Sequence, residues 1–67
     1  MIEIYKGYVV HIWHVQTHDG WQAFYYRRAP FNSGYTELFT AHDGKRKALE
    51  EAKAAIDAEL QVMEPTP

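Results

Sequence analysis

Three histidines, His11, His14 and His18, stand in the pattern H-x-x-H-x-x-x-H. On a helix that spacing would gather imidazoles on one face, where they could hold a metal ion. The residues around them are instead β-branched and aromatic with a period of two, which marks extended chain. On a strand His11 and His14 have opposite parity and point to opposite faces, and His18 falls in a turn. With no cysteine and no helical H-E-x-x-H pattern, the histidines predict neither a metal site nor a cofactor. They would make any self-association they join depend on pH near about 6–7.

Nucleophilic catalysis has only Ser33 and these scattered histidines to draw on. It needs a nucleophile on a strained turn and a base within reach. Glu3, Glu37 and Asp19 are isolated carboxylates, and there is no glycine-rich phosphate loop. A chain of 67 residues also offers little concave volume, and sites need a cleft. No enzymatic activity is expected.

A second group is Lys45, Arg46 and Lys47, at the start of a predicted helix. The helix dipole makes cations there mildly unfavourable, by roughly 0.3–1 kcal/mol each when exposed. Backbone N–H groups at a helix start also bind anions. Together these groups outline an anion or nucleic-acid patch, with Arg27 and Arg28 as additions. The plainer alternative is a solvated face on which Arg46 pairs with Glu50 and Lys47 with Glu51.

The elements that must position these groups are legible from pattern. Residues 2–17 read as extended chain, with Gly7 as a bend or bulge. His18-Asp19-Gly20 is a turn signal, and Trp21 to Arg28 is the second strand. Ala29 to Gly34 reads as a loop because of its Pro, Asn, Ser and Gly. Tyr35 to Thr40 is a third, shorter strand. Ala48, Leu49, Ala52, Ala55, Ile56, Leu60 and Met63 then recur at helical spacing, with no Gly or Pro between Lys45 and Glu64. Asp43 or Thr40 can cap the helix start, and Pro65 ends it. The prediction is an α+β fold: a three-stranded antiparallel sheet (β-β-β-α) with one C-terminal helix packed on one face. Residues 1–64 form this single domain and residues 65–67 a disordered tail.

Composition bounds the partners. Cores this small are marginal and often need oligomerisation, and without cysteine no disulfide can help. Hydrophobic residues at 46% and charged residues at 24% are globular values, so folding is expected. A net charge of −2 argues against a general electrostatic grip on nucleic acid. No apolar run approaches a membrane span and the N-terminus lacks a signal-peptide pattern, so a cytoplasmic protein without membrane contact is expected.

Five Tyr, three Phe and two Trp are many rings for so small an interior. If 18–20 is a three-residue loop, Thr17 pairs with Trp21, Val15 with Ala23, Trp13 with Tyr25 and His11 with Arg27. The even residues Ile2, Ile4, Val10, Ile12, Phe24 and Tyr26 are the more aliphatic set and are assigned to the helix. The open face then shows His11, Trp13, Val15, Trp21, Tyr25 and Arg27. Trp, Tyr and Arg dominate contact surfaces. A one-residue slip would exchange the faces.

Tyr5-Lys6-Gly7-Tyr8, Asp19-Gly20-Trp21 with Ala23, and Ala48-Leu49-Glu50-Glu51-Ala52 with Ile56-Asp57 resemble small bacterial β-β-β-α domains of unknown function. That resemblance implies the fold and no activity. The order of elements is also similar to the arm-binding domains of tyrosine recombinases and to three-stranded plant DNA-binding domains. Their sheets enter a DNA groove and are rich in Arg and Lys, whereas these strands supply Lys6, Arg27 and Arg28.

The expected function is therefore a non-enzymatic interaction module, self-associating as a homodimer or binding a protein. Its expected surface is His11, Trp13, Trp21, Tyr25 and Arg27. The alternative is a nucleic-acid binder using Arg27, Arg28, Lys45, Arg46 and Lys47.

Overall fold

The computed structural model describes residues 1–40 and 42–63, the side chain of Met63 excepted. Four strands precede one helix: β1 (Ile2–Tyr5), β2 (Tyr8–Val15), β3 (Gly20–Arg28), β4 (Phe31–Tyr35) and α1 (Gly44–Met63). All strand pairs are antiparallel and the sheet order is β1-β2-β3-β4. The fold is α+β as expected, with four strands rather than three.

The extra strand arises at Lys6-Gly7. Both residues have positive φ, 49° and 83°, and two left-handed residues in succession make the tight turn that matches strand twist. Gly7 accepts this conformation at little steric cost. Lys6 is anchored there by Asp57 of α1, 2.7 Å from its ammonium. The stretch read as one strand over 2–17 is thus a hairpin, closed by the pair Tyr5↔Tyr8.

The second hairpin has a longer loop than the turn expected at 18–20. Gln16–His18 form a single 3-10 turn, and Asp19 takes the left-handed position with φ 46°. An aspartate tolerates that region. Gly20 opens β3 instead and pairs with Val15. It is buried, and a Cβ there would lie 3.0 Å from Leu38. Thr17 therefore does not face Trp21; His14 does, and Trp13 faces Gln22. The offset from the expected register is odd, so every β3 side chain changes face.

β4 starts earlier than expected. The turn between β3 and β4 is only Ala29-Pro30, joined by a cis peptide bond, and Phe31 pairs at once with Arg28. Asn32, Ser33 and Gly34, read as loop, lie in the strand. Beyond Tyr35 the strand bulges. The Thr36 N–H donates to the Ala23 carbonyl at 2.9 Å, and the Thr36 hydroxyl accepts the Ala23 N–H at 3.0 Å. Pairing resumes at Trp21↔Phe39. Between the pairs Phe24↔Tyr35 and Trp21↔Phe39, two residues of one strand thereby face three of the other, as in a β-bulge.

The helix behaves as its pattern predicts. Ala48, Ala52 and Ile56 are buried, and Leu49, Ala55 and Leu60 pack beside them. The small alanines let α1 lie close to β2 and β3, which contribute Tyr8, Val10, Ile12, Ala23 and Tyr25 to the core. The Asp43 carbonyl accepts the Lys47 N–H at 3.0 Å, which makes Asp43 the first residue to bond into the helix. The predicted stop at Pro65 and the tail at 65–67 lie outside the described residues. Among the described residues no helix is long and apolar enough to cross a membrane.

Candidate interaction surface

Alternation along the strands decides which side chains meet the helix. On β2 the even residues Tyr8, Val10 and Ile12 are buried beneath α1, as expected. On β3 the odd residues turn inward, contrary to the expected register. Ala23 and Tyr25 are in the core and Trp21 is packed at its margin. Phe24 and Tyr26 consequently point away from the helix, as do Ile2 and Ile4, which pair with His11 and Val9.

Among the expected surface residues, His11 and Trp13 lie on the open face. Trp21, Tyr25 and Arg27 lie on the helix side. Trp21 sits at the start of α1, with the His14 ring 5.1 Å away and the Lys45 ammonium 5.6 Å from its centroid. Arg27 reaches over the Tyr8 ring at 5.3 Å and donates Nε–H to the Pro30 carbonyl at 3.0 Å.

The open face is a continuous ring array carried by β2, β3 and β4. Its middle row runs Ile2–His11–Phe24–Tyr35 across the strands. The next row is Ile4–Val9–Tyr26–Ser33. His11 stacks on Tyr26 at 5.9 Å with planes 19° apart, and Phe24 stacks on Tyr26 at 5.6 Å. Phe24 meets Tyr35 at 4.8 Å, and Trp13 meets Tyr35 edge-on at 6.4 Å. Ile2, Ile4, Phe31 and Tyr35 are 63–72% exposed.

The acids collect on the helix side. The Tyr5 hydroxyl donates to the Asp57 carboxylate at 3.0 Å, beside the Lys6 ion pair. The Lys6 and Tyr5 hydrogen bonds hold the Asp57 carboxyl below its usual range, and Asp57 raises the Lys6 ammonium in turn. Glu3 Oε2, shielded from solvent, lies 3.1 Å from the Lys53 ammonium without hydrogen-bond alignment. The Tyr8 hydroxyl donates to Glu59 at 2.8 Å. Burial pushes the Tyr8 phenol up, and Glu59 adds to the shift. Burial likewise raises Tyr25, with the charges of Glu59 and Glu51 adding to it.

The expected basic patch is not one patch. Arg28 lies at the far end of β3 from Trp21 and the helix start, roughly 24 Å along the strand at about 3.4 Å per residue. There it borders a notch of about 510 Å³ between two hairpin turns, with Lys6 and Arg27. At the helix start Asp43 lies 3.4 Å from Arg46 and 3.8 Å from Lys47, and Arg46 is 3.9 Å from Glu50. The pairing partner missed in the sequence is Asp43; its place one turn before Lys47 was the available signal.

His11 is on the open face, His14 opposite Trp21, and His18 in the loop, where its Nδ1 meets the Thr17 hydroxyl at 3.0 Å. No three metal-ligating side chains gather among the described residues. Sequence reasoning missed Ile2, Ile4, Phe24, Tyr26, Phe31 and Tyr35 on the open face, because it had the wrong loop length and one strand too few. No protein-family model, no curated protein and no solved structure matches the chain.

Proposed function

We propose that the protein is a non-enzymatic interaction module whose working surface is the open aromatic face of the sheet, and that it self-associates through this face. The observation carrying this reading is one-sided cover. The helix buries one face, while the other leaves Ile2, Ile4, Phe31 and Tyr35 mostly exposed beside Trp13. Aromatic side chains carry about 150–250 Å² each, so Phe31, Tyr35 and Trp13 leave on the order of 350 Å² open. Adding the isoleucines and the half-buried Val9, His11, Phe24 and Tyr26 brings the face near the ~800 Å² each partner gives to a standard interface. The largest apolar patch on a typical monomer is about 300–600 Å².

Nucleic acid draws less support. A phosphate backbone is gripped by Lys and Arg, and the cation carried by the ring array is Arg28, at one corner. The cations at the helix start are offset by Asp43 and lie beyond the other end of the sheet.

Sedimentation equilibrium over a concentration series, wild type against Trp13→Ala, tests the proposal. A self-associated pair loses the ring from both copies, at about 2 kcal/mol or more each, so the variant should dissociate at roughly a thousandfold higher concentration. A wild type that stays monomeric at high micromolar concentration would sink the reading.

A further inference from the structure

His11 stands in the middle row of the open face, on one of the two central strands. It is half-buried, stacked on Tyr26 and beside Phe24 at 6.4 Å. Neither ring nitrogen has a hydrogen-bond partner among the described residues. We infer that the occupant of the open face is a second copy of this chain, packed sheet against sheet, and that protonation of His11 dissolves the pair. This rests on the reading of the open face as the contact surface.

The surface fits its own copy. A two-fold contact uses the same patch on both partners. Two sheet faces pack about 10 Å apart with their side chains interdigitated. This face is apolar nearly throughout, so it offers an oppositely charged partner little, and it offers a like apolar face nearly the whole area of a standard interface.

The groups around His11 leave an imidazolium without compensation. Ile2 stands opposite it on β1, and Glu3 points to the other side with Lys53. On β3 its neighbours are the Phe24 and Tyr26 rings. On β2 the residues sharing its face are Val9 and Trp13, and on β4 Ser33 and Tyr35 close the rows. The cation on this face is Arg28, two residues beyond Tyr26, and α1 lies behind the sheet. No carboxylate faces the ring among the described residues.

A free monomer can carry the charge, since one ring side is open to water and a tyrosine face stabilises a cation. Between two sheets the charged form loses its water and gains no counter-ion. A two-fold axis near the middle row also brings both His11 rings toward each other, and two like charges repel. Association at mildly acid pH must therefore release a proton from each copy. Release of one proton per copy limits the loss of affinity to about tenfold per copy for each pH unit, or on the order of a hundredfold for the pair.

The test is sedimentation of the full chain at about pH 8 and about pH 5.5, for wild type, His11→Gln and His42→Gln, with circular dichroism showing each folded at both pH values. Wild type and His42→Gln should lose dimer affinity at the lower pH, and His11→Gln should keep it. A wild-type dimer equally strong at both pH values overturns the His11 gate and leaves the contact surface standing. A pH loss retained in His11→Gln also overturns the gate. Monomer at both pH values overturns the gate and the surface together.

Discussion

Tyr25 lies across Gly34, its phenol ring occupying the space where a side chain on β4 would stand; a Cβ on Gly34 would come within 2.6 Å of the ring carbon Cζ. This pairing seats the Tyr25 ring beneath the helix and directs Phe24 and Tyr26 outward. Gly34→Ala should therefore destabilise the fold by about 1–3 kcal/mol, the range for overpacking a filled core. Urea unfolding would show it as a lower midpoint with an unchanged slope. Gly34→Ala combined with Tyr25→Leu should be less than additive, because the shorter side chain removes the clash.

Thr36 holds the bulge that ends β4. It is 7% exposed, accepts the Ala23 N–H and donates its hydroxyl to the Glu37 carbonyl at 3.0 Å. Thr36→Val keeps the shape and strands a buried N–H. The expected loss is about 1–3 kcal/mol. Thr36→Ser retains the hydroxyl and should lose less. Equal losses in the two variants would mean that the methyl packing, not the hydrogen bond, matters there.

The Lys6–Asp57 pair sets a pH window. Asp57 is held below its ordinary range, so its contribution is complete above the unfolded-state value and fades as pH falls through the lower folded value. Lys6 is raised, so its contribution is complete below its unfolded-state value and fades as pH rises through the higher folded one. Stability from this pair should be flat between about pH 5 and about pH 10 and decline on both sides. In denaturation midpoints measured against pH, Lys6→Met and Asp57→Asn should each show shallower declines than wild type. An unchanged profile in both would remove the pair from the account.

The helix and its buried stripe were legible because Ala48, Ala52 and Ile56 report one period over about two turns of a 20-residue helix with no competing signal. The sheet was less so. Lys6-Gly7 lacks the Asn or Asp that advertises a primed turn, and strand-forming residues flank it, so one hairpin read as one strand. Asp19-Gly20 advertises a turn in which Gly20 supplies the positive φ, yet Asp19 does so and Gly20 is required for close approach to Leu38. Parity amplified that small displacement. It sent Trp21, Tyr25 and Arg27 to the helix side and Phe24 and Tyr26 outward. His11 and Trp13 kept their places because β2 was oriented by its own aliphatic residues, Val10 and Ile12.

The most direct test of the open face as a self-association surface places the same charge on it and off it. Tyr35 is 66% exposed on the ring array, and Val62 is 86% exposed on the helix, so neither change opens a core. Sedimentation velocity at neutral pH and high micromolar concentration should give a dimer for wild type and for Val62→Asp, and a monomer for Tyr35→Asp. A dimer that survives Tyr35→Asp, or a wild type that is monomeric throughout, would contradict the account.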